Sequence, residues 1–112
     1  MKRRFVLTPQ ASADLQEILL TIAEDSAAAA ERLRLEFYDC FRRLAQSPSI
    51  GHYHDELLDR RYRFWNFYHY VVCYVWGQKP IQVIAVVHGA RDLGAFLGPR
   101  SSEDTEAPDS IS

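Results

Sequence analysis

Cysteine is scarce in this sequence of 112 residues, which has only Cys40 and Cys73. Each lies within an apolar-patterned run, which favours two small buried thiols over a disulfide or a metal pair. Long hydrophobic runs are also missing: no stretch approaches the roughly 20 apolar residues of a membrane span. The basic start at residues 1–4 is followed by only Phe5-Val6-Leu7, which is too short for the apolar core of a signal peptide. These absences predict a cytoplasmic protein.

Motifs of small-molecule catalysis are lacking as well. The sequence contains no Ser–His–Asp order, no glycine-rich phosphate loop and no paired-carboxylate motif. His52, His54 and Asp55 bring metal-ligand residue types together, but no further ligand follows at a zinc-like spacing. We therefore expect neither a bound metal nor a cofactor.

Lysine is nearly absent, because eleven of the 13 basic residues are arginines. Arginine suits bidentate contacts with carboxylates and phosphates better than lysine does, although the codon usage of a GC-rich genome would give the same bias. Residues 101–112 contain four acids and no base, which leaves residues 1–100 with two more bases than acids. We predict one domain over residues 1–98 and a disordered acidic tail over residues 99–112.

Two helical patterns fill the first half of the chain. After a short predicted strand at residues 3–7, Thr8 can cap a helix that begins at Pro9. Its apolar residues recur on one face, whereas Asp14 lies among polar residues that face away. Asp25-Ser26 interrupts the pattern, and a second helix runs to Ser47-Pro48, where the proline ends it. Because the connection is so short, we predict an antiparallel helical hairpin.

The second half has the composition of β-strands. Eight of the 14 aromatic residues lie between Tyr62 and Trp76, together with three valines. This run is too long for one strand, so we divide it near residues 66–69, and a turn at residues 77–80 precedes a strand at residues 81–87. Short connections make these three strands antiparallel. The predicted fold is α+β in the order β-α-α-β-β-β, with the helical hairpin on one face of an antiparallel sheet and a short helical or irregular cap at residues 91–97.

The aromatic run allows two interpretations. Interleaved with arginines, it resembles a stacking platform for single-stranded nucleic acid; alternatively, half of it forms the core and half lies under a protein partner. Strand alternation places Tyr62, Phe64 and Tyr70 on one side of the sheet, and Arg63 and Trp65 on the other. Since helices cover only one face, too many aromatic residues would stay exposed on the second face. We therefore expect a protein partner to cover it.

His88 and Arg91 follow the last predicted strand. At a strand end, such a pair could stabilise a phosphate or act as acid and base at an RNA 2′-hydroxyl. The alternative is an ion pair between Arg91 and a carboxylate, with His88 half-buried, and the chemistry alone favours this alternative.

Taken in order, several segments resemble the ParE branch of the ParE/RelE toxin superfamily, along roughly residues 4–97. Residues 7–18 are similar to the start of its first helix, residues 28–37 to its second helix, and residues 44–51 to the "L…P..G" exit from that helix. Arg63-Phe64 and residues 70–74 resemble its strand pair. Residues 86–93, which include His88-Gly89-Ala90-Arg91-Asp92, are close to its "HGARD" ending.

The resemblance implies the toxin of a type II toxin–antitoxin system. Its partner would be a cognate antitoxin of the ParD-like, ribbon–helix–helix type, whose C-terminal segment drapes over the toxin in a hetero-oligomer. ParE-like members inhibit DNA gyrase without catalysis, whereas RelE-like members cut mRNA in the ribosome and commonly use a C-terminal tyrosine. Phe96 and Leu97 stand where that tyrosine would be, which favours gyrase inhibition and leaves the mRNA endoribonuclease as the alternative. Tyr68-His69 departs from the family, which more typically has a small residue and a base there.

The resemblance and the arginine pattern together give two sets of candidate residues. A nuclease would use Arg61, Arg63, His88 and Arg91. The residues that we expect to bind the antitoxin are Arg60, Arg61, Arg63, Trp65, Phe67, Tyr70, Arg91 and Phe96. A degenerate toxin that retains only antitoxin binding is a third possibility.

Overall fold

Two helices and a four-stranded sheet make up the computed structural model, which describes residues 5–53 and 59–89. The elements along the chain are β1 (Phe5–Leu7), α1 (Pro9–Ala23), α2 (Ala27–Gln46), a 3-10 turn (Pro48–Ile50), β2 (Tyr62–Phe67), β3 (Tyr70–Val75) and β4 (Ile81–His88). The predicted α+β fold and its order of elements are confirmed. The predicted cap at residues 91–97 and the predicted tail at residues 99–112 lie outside the described residues.

The helix boundaries follow from local chemistry. The Thr8 hydroxyl accepts a hydrogen bond from the Ala11 amide at 3.1 Å, and the Ser26 hydroxyl accepts one from the Ala29 amide at 3.0 Å. Each side chain thereby satisfies one of the backbone amides that a helix leaves free at its start. Pro9 occupies the first turn of α1. The predicted helix starts and the break between the helices are therefore confirmed. Neither helix has the length and apolar character that would let it cross a membrane.

The sheet is mixed, with the strand order β1-β4-β3-β2. The last three strands form the predicted antiparallel meander, whereas β1 pairs with β4 in parallel. A parallel pair needs a long crossover connection, and the helical hairpin provides it at the start of the chain. As a result β1 and β2 are the two edge strands.

A β-bulge in β4 changes which backbone groups face β1. Cys73 lies opposite Ala85 and Tyr74 opposite Val83, so one additional residue, Ile84, is inserted into β4. Beyond the end of the three-residue strand β1, the Val86 amide donates a hydrogen bond to the Asp14 carboxylate at 3.0 Å. The prediction that Asp14 faces away from the core side is therefore wrong. A buried amide needs an acceptor, and this carboxylate takes the place of a missing strand partner.

The hydrophobic core lies on both faces of the sheet. On the helix side, Phe37, Phe41 and Leu44 of α2 are fully buried against the sheet together with Val72, Tyr74 and Val83. On the second face, a cluster of side chains is at most 9% exposed within this chain: Tyr62, Phe64, Val71, Cys73, Val75, Ile84, Ala85 and Val87. Both faces are therefore already covered.

The assignment of the aromatic residues to faces needs a correction. The turn at Tyr68-His69 places Tyr70 opposite Phe67, so both rings lie on the helix side and pack against Phe37. Strand alternation predicted that Tyr70 shares a face with Tyr62 and Phe64, and this prediction is wrong. Only these two rings of the aromatic run point to the second face, and both are buried within the chain. The expected exposed aromatic face, covered only by a partner, is thus absent from the described residues.

The two thiols are expected to be unreactive in the folded protein. Cys40 and Cys73 are both buried and free, as predicted, and burial raises the pKa of Cys40 to about 11. Since the thiolate is the reactive form, a disulfide-exchange reagent at pH 8 should label neither cysteine within minutes. Unfolding in guanidinium chloride should expose both. Rapid labelling of one thiol in the native protein would contradict this burial.

Candidate functional site

Arginine and aromatic side chains alternate in a stack beside the start of β2. The guanidinium of Arg60 lies 4.2 Å from the ring centre of Tyr53, and that of Arg63 lies 4.4 Å from the same ring. Arg63 also lies 4.1 Å from the ring of Trp76. We call Tyr53, Arg60, Arg63 and Trp76 the arginine–aromatic stack. At these distances each guanidinium is attracted by the electron-rich ring face.

Arg63 is the half-buried arginine of the stack and lies against two of its rings. Its Nη1 donates to the Gly51 carbonyl at 2.6 Å and its Nη2 to the Tyr53 hydroxyl at 3.2 Å. Its Nε is buried and has no hydrogen-bond partner among the described residues. The half-buried side chain thus holds residues 51–53 against β2, and its charge is balanced by ring faces and a carbonyl oxygen.

Arg61 has a different environment, because it pairs with a carboxylate. Its Nη2 lies 2.7 Å from Asp59 Oδ2 and its Nε 3.1 Å from both carboxylate oxygens. The hydrogen bond from Arg61 is the main cause that holds the pKa of Asp59 below its ordinary value. Arg60 and Arg61 are both exposed, but the Arg61 guanidinium is already engaged by Asp59. Arg60 is therefore the exposed guanidinium that has no carboxylate partner among the described residues.

Tyr74 fixes the loop that carries this stack. Its hydroxyl donates to the Pro48 carbonyl at 2.6 Å and accepts from the Gly51 amide at 3.0 Å. Burial is the main cause that raises its pKa. His52 next to this loop exchanges two backbone hydrogen bonds with Phe64, at 2.8 and 2.7 Å. The exit from α2 is therefore attached to the edge strand β2 through a buried side chain and a short bridge.

A cleft lies farther along β2, between this strand and α2. It has a volume of about 270 Å³. Its lining residues, which define the α2–β2 cleft, are Glu36, Asp39, Cys40, Arg43, Trp65, Phe67 and Tyr68. Trp65 and Phe67 were both predicted to bind a partner, and the structure places them, half-buried, on the cleft wall. Tyr70 lies behind them, next to Phe37.

Tyr68 stands at the rim of this cleft. Its side chain is 68% exposed, and its hydroxyl donates to Glu36 at 2.9 Å. That hydrogen bond is the main cause that raises the pKa of the Tyr68 hydroxyl. The ring packs edge-on against Phe67 at 4.7 Å.

The candidate nuclease residues that the structure describes do not come together. Arg63 lies opposite Tyr74 on β3, whereas His88 on β4 lies opposite Tyr70. These two positions on β3 are four residues apart, which is roughly 13 Å along a strand. His88 instead stacks with His69 at 6.4 Å and is exposed. Arg91, the fourth candidate, lies outside the described residues, as does Phe96.

Several residues of these surfaces were not predicted. Tyr53 and Trp76 sandwich Arg63, and Glu36 and Tyr68 meet across the α2–β2 cleft. Alternation along β3 would place Trp76 on the same face as Tyr74, but no local pattern brings Tyr53 or Glu36 next to β2. His54 and Asp55 lie outside the described residues; within these, no three potential ligands are grouped so that they could hold a metal ion.

Comparisons with known proteins identify the family. The model of a family described as "ParE toxin of type II toxin-antitoxin system, parDE" matches residues 5–93. This match spans every helix and strand of residues 5–53 and 59–89, the part that the structure describes. A search of the curated proteins gives no match. Since the family match covers most of the chain, this protein belongs to the ParE toxin family of type II toxin–antitoxin systems.

Proposed function

We propose that this toxin inhibits DNA gyrase in the cytoplasm and that its cognate antitoxin neutralises it by direct binding. The antitoxin would be of the ParD-like, ribbon–helix–helix type and would form a hetero-oligomer with the toxin. Its C-terminal segment would lie along β2, from the arginine–aromatic stack to the α2–β2 cleft. In this proposal the toxin acts as a binder and needs no catalytic group of its own.

The separation of Arg63 from His88 is the observation that carries this proposal. Cleavage of RNA at a 2′-hydroxyl requires an acid, a base and a phosphate-stabilising group within hydrogen-bonding reach of one another. Arg61 is paired with Asp59, and Arg63 is enclosed by Tyr53 and Trp76. Neither guanidinium is poised for a phosphate next to His88. This arrangement supports a non-catalytic toxin over the alternative of an mRNA endoribonuclease.

The binding surface is supported by exposure and charge. The Arg60 guanidinium is exposed and has no carboxylate partner among the described residues, so it can receive an acidic group of the antitoxin. Trp65 and Phe67 supply half-buried apolar surface on the same side of β2. Aromatic and arginine side chains are the types that most often dominate binding energy at protein interfaces.

Purified toxin incubated with DNA gyrase and supercoiled plasmid tests the proposed target. We expect double-strand breaks to accumulate after protein denaturation, because a poisoned gyrase leaves its DNA cleaved. Addition of the protein encoded by the adjacent open reading frame should suppress the breaks at a fixed stoichiometric ratio. In the control, the antitoxin is titrated into gyrase and plasmid without the toxin.

Two other outcomes identify the alternatives. Intact plasmid, together with mRNA cut within codons in a translating extract, would indicate the endoribonuclease; Arg91→Ala should then abolish cutting without unfolding the protein. If expression affects neither DNA nor mRNA and causes no growth defect, the chain is a degenerate toxin that only binds antitoxin.

A further inference from the structure

The α2–β2 cleft has the size of a site for one long side chain. Its volume of about 270 Å³ is below the roughly 300–1,000 Å³ that is typical of small-molecule and cofactor sites. One wall is the surface of α2 around Glu36 and Asp39, and the opposite wall consists of aromatic rings. The cleft is open at the surface beside the edge strand β2, where a polypeptide partner can reach it.

Glu36 is the carboxylate of the cleft that lacks a cationic partner among the described residues. Elsewhere on α2, Glu31 pairs with Arg34 at 2.6 Å and Asp39 pairs with Arg42. Glu36 is half-buried, and within the described part of the chain its hydrogen bond comes from the neutral Tyr68 hydroxyl. A carboxylate withdrawn from water gains more from an opposite charge than an exposed one does, so the chemistry at Glu36 favours a cation.

Arg43 also lines the cleft, but among the described residues it forms no ion pair with this carboxylate. Arg43 is seven residues after Glu36, which corresponds to roughly 10.5 Å along the helix axis. The cleft therefore has a basic end near Arg43 and an acidic end near Glu36. The aromatic rings of Phe67 and Tyr68 stand at the acidic end, since Tyr68 bonds to Glu36 directly and packs on Phe67.

The backbone of Tyr68 adds an independent observation. Its φ of 55° lies in the left-handed region, which is unfavourable for a residue with a Cβ. Because the ring is 68% exposed, burial offsets little of that cost. The turn places the Tyr68 ring beside Glu36, whose carboxylate has no cationic partner among the described residues. Strain of this kind is typical of binding positions.

We propose that the acidic end of the α2–β2 cleft is a socket for one arginine or lysine side chain of the antitoxin. Glu36 pairs with the charge, while Phe67 and Tyr68 contact the cation and its methylene stem. The Tyr68 hydroxyl holds the carboxylate in position. This inference rests on the proposed neutralisation by an antitoxin, because the side chain in the socket belongs to that partner.

The affinity of the antitoxin for three forms of the toxin tests the socket. Glu36→Gln removes the charge but keeps an oxygen that can accept the Tyr68 hydrogen bond. We expect its Kd for the antitoxin, measured by titration calorimetry, to rise at least tenfold. Glu31→Gln on the same helix removes an exposed carboxylate outside the cleft and should change the Kd less than twofold. If the wild-type toxin binds no antitoxin, the proposed neutralisation fails; if wild type and Glu36→Gln bind equally, the socket alone is overturned.

Tyr68→Gly separates binding from folding. Glycine tolerates the left-handed backbone, so the midpoint of thermal unfolding should stay within about 3 °C of wild type or rise. The affinity for the antitoxin should nevertheless fall at least fivefold. Unchanged affinity in this variant would overturn the role of the ring.

A double-mutant cycle identifies the side chain that enters the socket. Each arginine or lysine of the antitoxin is replaced by methionine and measured against wild-type toxin and Glu36→Gln. One such replacement should weaken binding to wild-type toxin at least tenfold and binding to Glu36→Gln less than twofold, because the two side chains act as one pair. Purely additive losses at every cationic position would overturn the proposal.

Discussion

Replacement of Gly51 by alanine is expected to lower the free energy of unfolding by about 3 kcal/mol. A Cβ atom at this position would lie 2.9 Å from the Phe64 carbonyl oxygen, 3.0 Å from Tyr74 Cε1 and closer still to the Tyr74 hydroxyl. Neither neighbour can yield easily, since the first is backbone in the sheet and the second is a fully buried ring. Displacing residue 51 would also weaken the hydrogen bonds of its amide to Tyr74 and of its carbonyl to Arg63.

Gly77→Ala is the matched control for this prediction. A Cβ at Gly77 would meet no atom within 4 Å, and its backbone has no positive φ. Its effect on stability should therefore stay within about 0.5 kcal/mol or be slightly favourable, because alanine restricts the unfolded chain. Unfolding in guanidinium chloride, followed by tryptophan fluorescence, measures both variants. Equal stabilities of the two variants would show that the loop at Gly51 relaxes freely.

The effect of Gly51→Ala should also appear in heat. For a domain of this size, 1 kcal/mol corresponds to roughly 4–8 °C in Tm. A loss of about 3 kcal/mol then lowers Tm by roughly 12–24 °C, which a calorimetric scan detects without ambiguity. Tyr74→Phe, which removes the hydroxyl between Pro48 and Gly51, should reproduce part of this decrease because a buried amide and a part-buried carbonyl lose their partner.

The helical hairpin was predictable because each of its determinants is local. Thr8 and Ser26 cap the helices through bonds that span three residues, and Phe37, Phe41 and Leu44 of α2 repeat at the helical period on one face. The turn between β2 and β3 was predictable for a similar reason, since a strand of fifteen residues would exceed the usual length of about 3–10.

The bulge at Ile84 had no such local determinant. Apart from Gln82, residues 81–87 are apolar, so no alternation marks the position where an additional residue enters the strand. The bulge changes the direction of the Val86 amide, and only the folded sheet brings that amide to Asp14. Asp14, which the helical pattern assigned to the polar face, therefore has a partner that sequence reasoning could not supply. The parallel pairing of β1 was equally a consequence of the tertiary fold.

The candidate site was predictable in composition but not in geometry. The resemblance directed attention to Arg63 and the arginines before it, and the structure does gather them near the start of β2. The two rings that enclose Arg63 come from distant positions in the sequence. Tyr53 precedes Arg63 by ten residues, and Trp76 follows it by thirteen. The charge of an arginine is visible in a sequence, whereas the rings that surround it depend on strand register.

Several residues that carry the family resemblance have a structural role at the exit from α2. Three hydrogen bonds join these residues. The Tyr74 hydroxyl donates to the Pro48 carbonyl and accepts from the Gly51 amide, and the Arg63 guanidinium donates to the Gly51 carbonyl. These positions belong to the helix exit and to the strand pair that the resemblance quotes. They connect α2 to the edge strand, so they stabilise the fold on which the arginine–aromatic stack depends.

Phe37→Ala is expected to lower the free energy of unfolding by about 3–5 kcal/mol. Phe37 is fully buried, and its ring contacts those of Phe41, Phe67 and Tyr70 at centre distances of 6.0, 4.8 and 5.6 Å. Truncation removes the apolar surface of the ring and leaves a cavity that the surrounding strands can fill only in part. A domain stable by about 5–15 kcal/mol would lose a large fraction of its stability.

Leu35→Ala, two residues earlier on the same helix, provides the control. Leu35 is 50% exposed, and alanine is the better helix former, so its effect should remain within about 0.5 kcal/mol. Unfolding in guanidinium chloride compares both variants. If the unfolding free energy depends on denaturant concentration with the same slope as in wild type, the substitution has changed stability and not the surface exposed on unfolding. A loss below about 1.5 kcal/mol for Phe37→Ala would mean that Phe67 and Tyr70 collapse into the vacated space.

Since Phe67 also lines the α2–β2 cleft, such a collapse would change the shape of the cleft. A stable Phe37→Ala variant should then bind antitoxin less tightly, and Leu35→Ala should not.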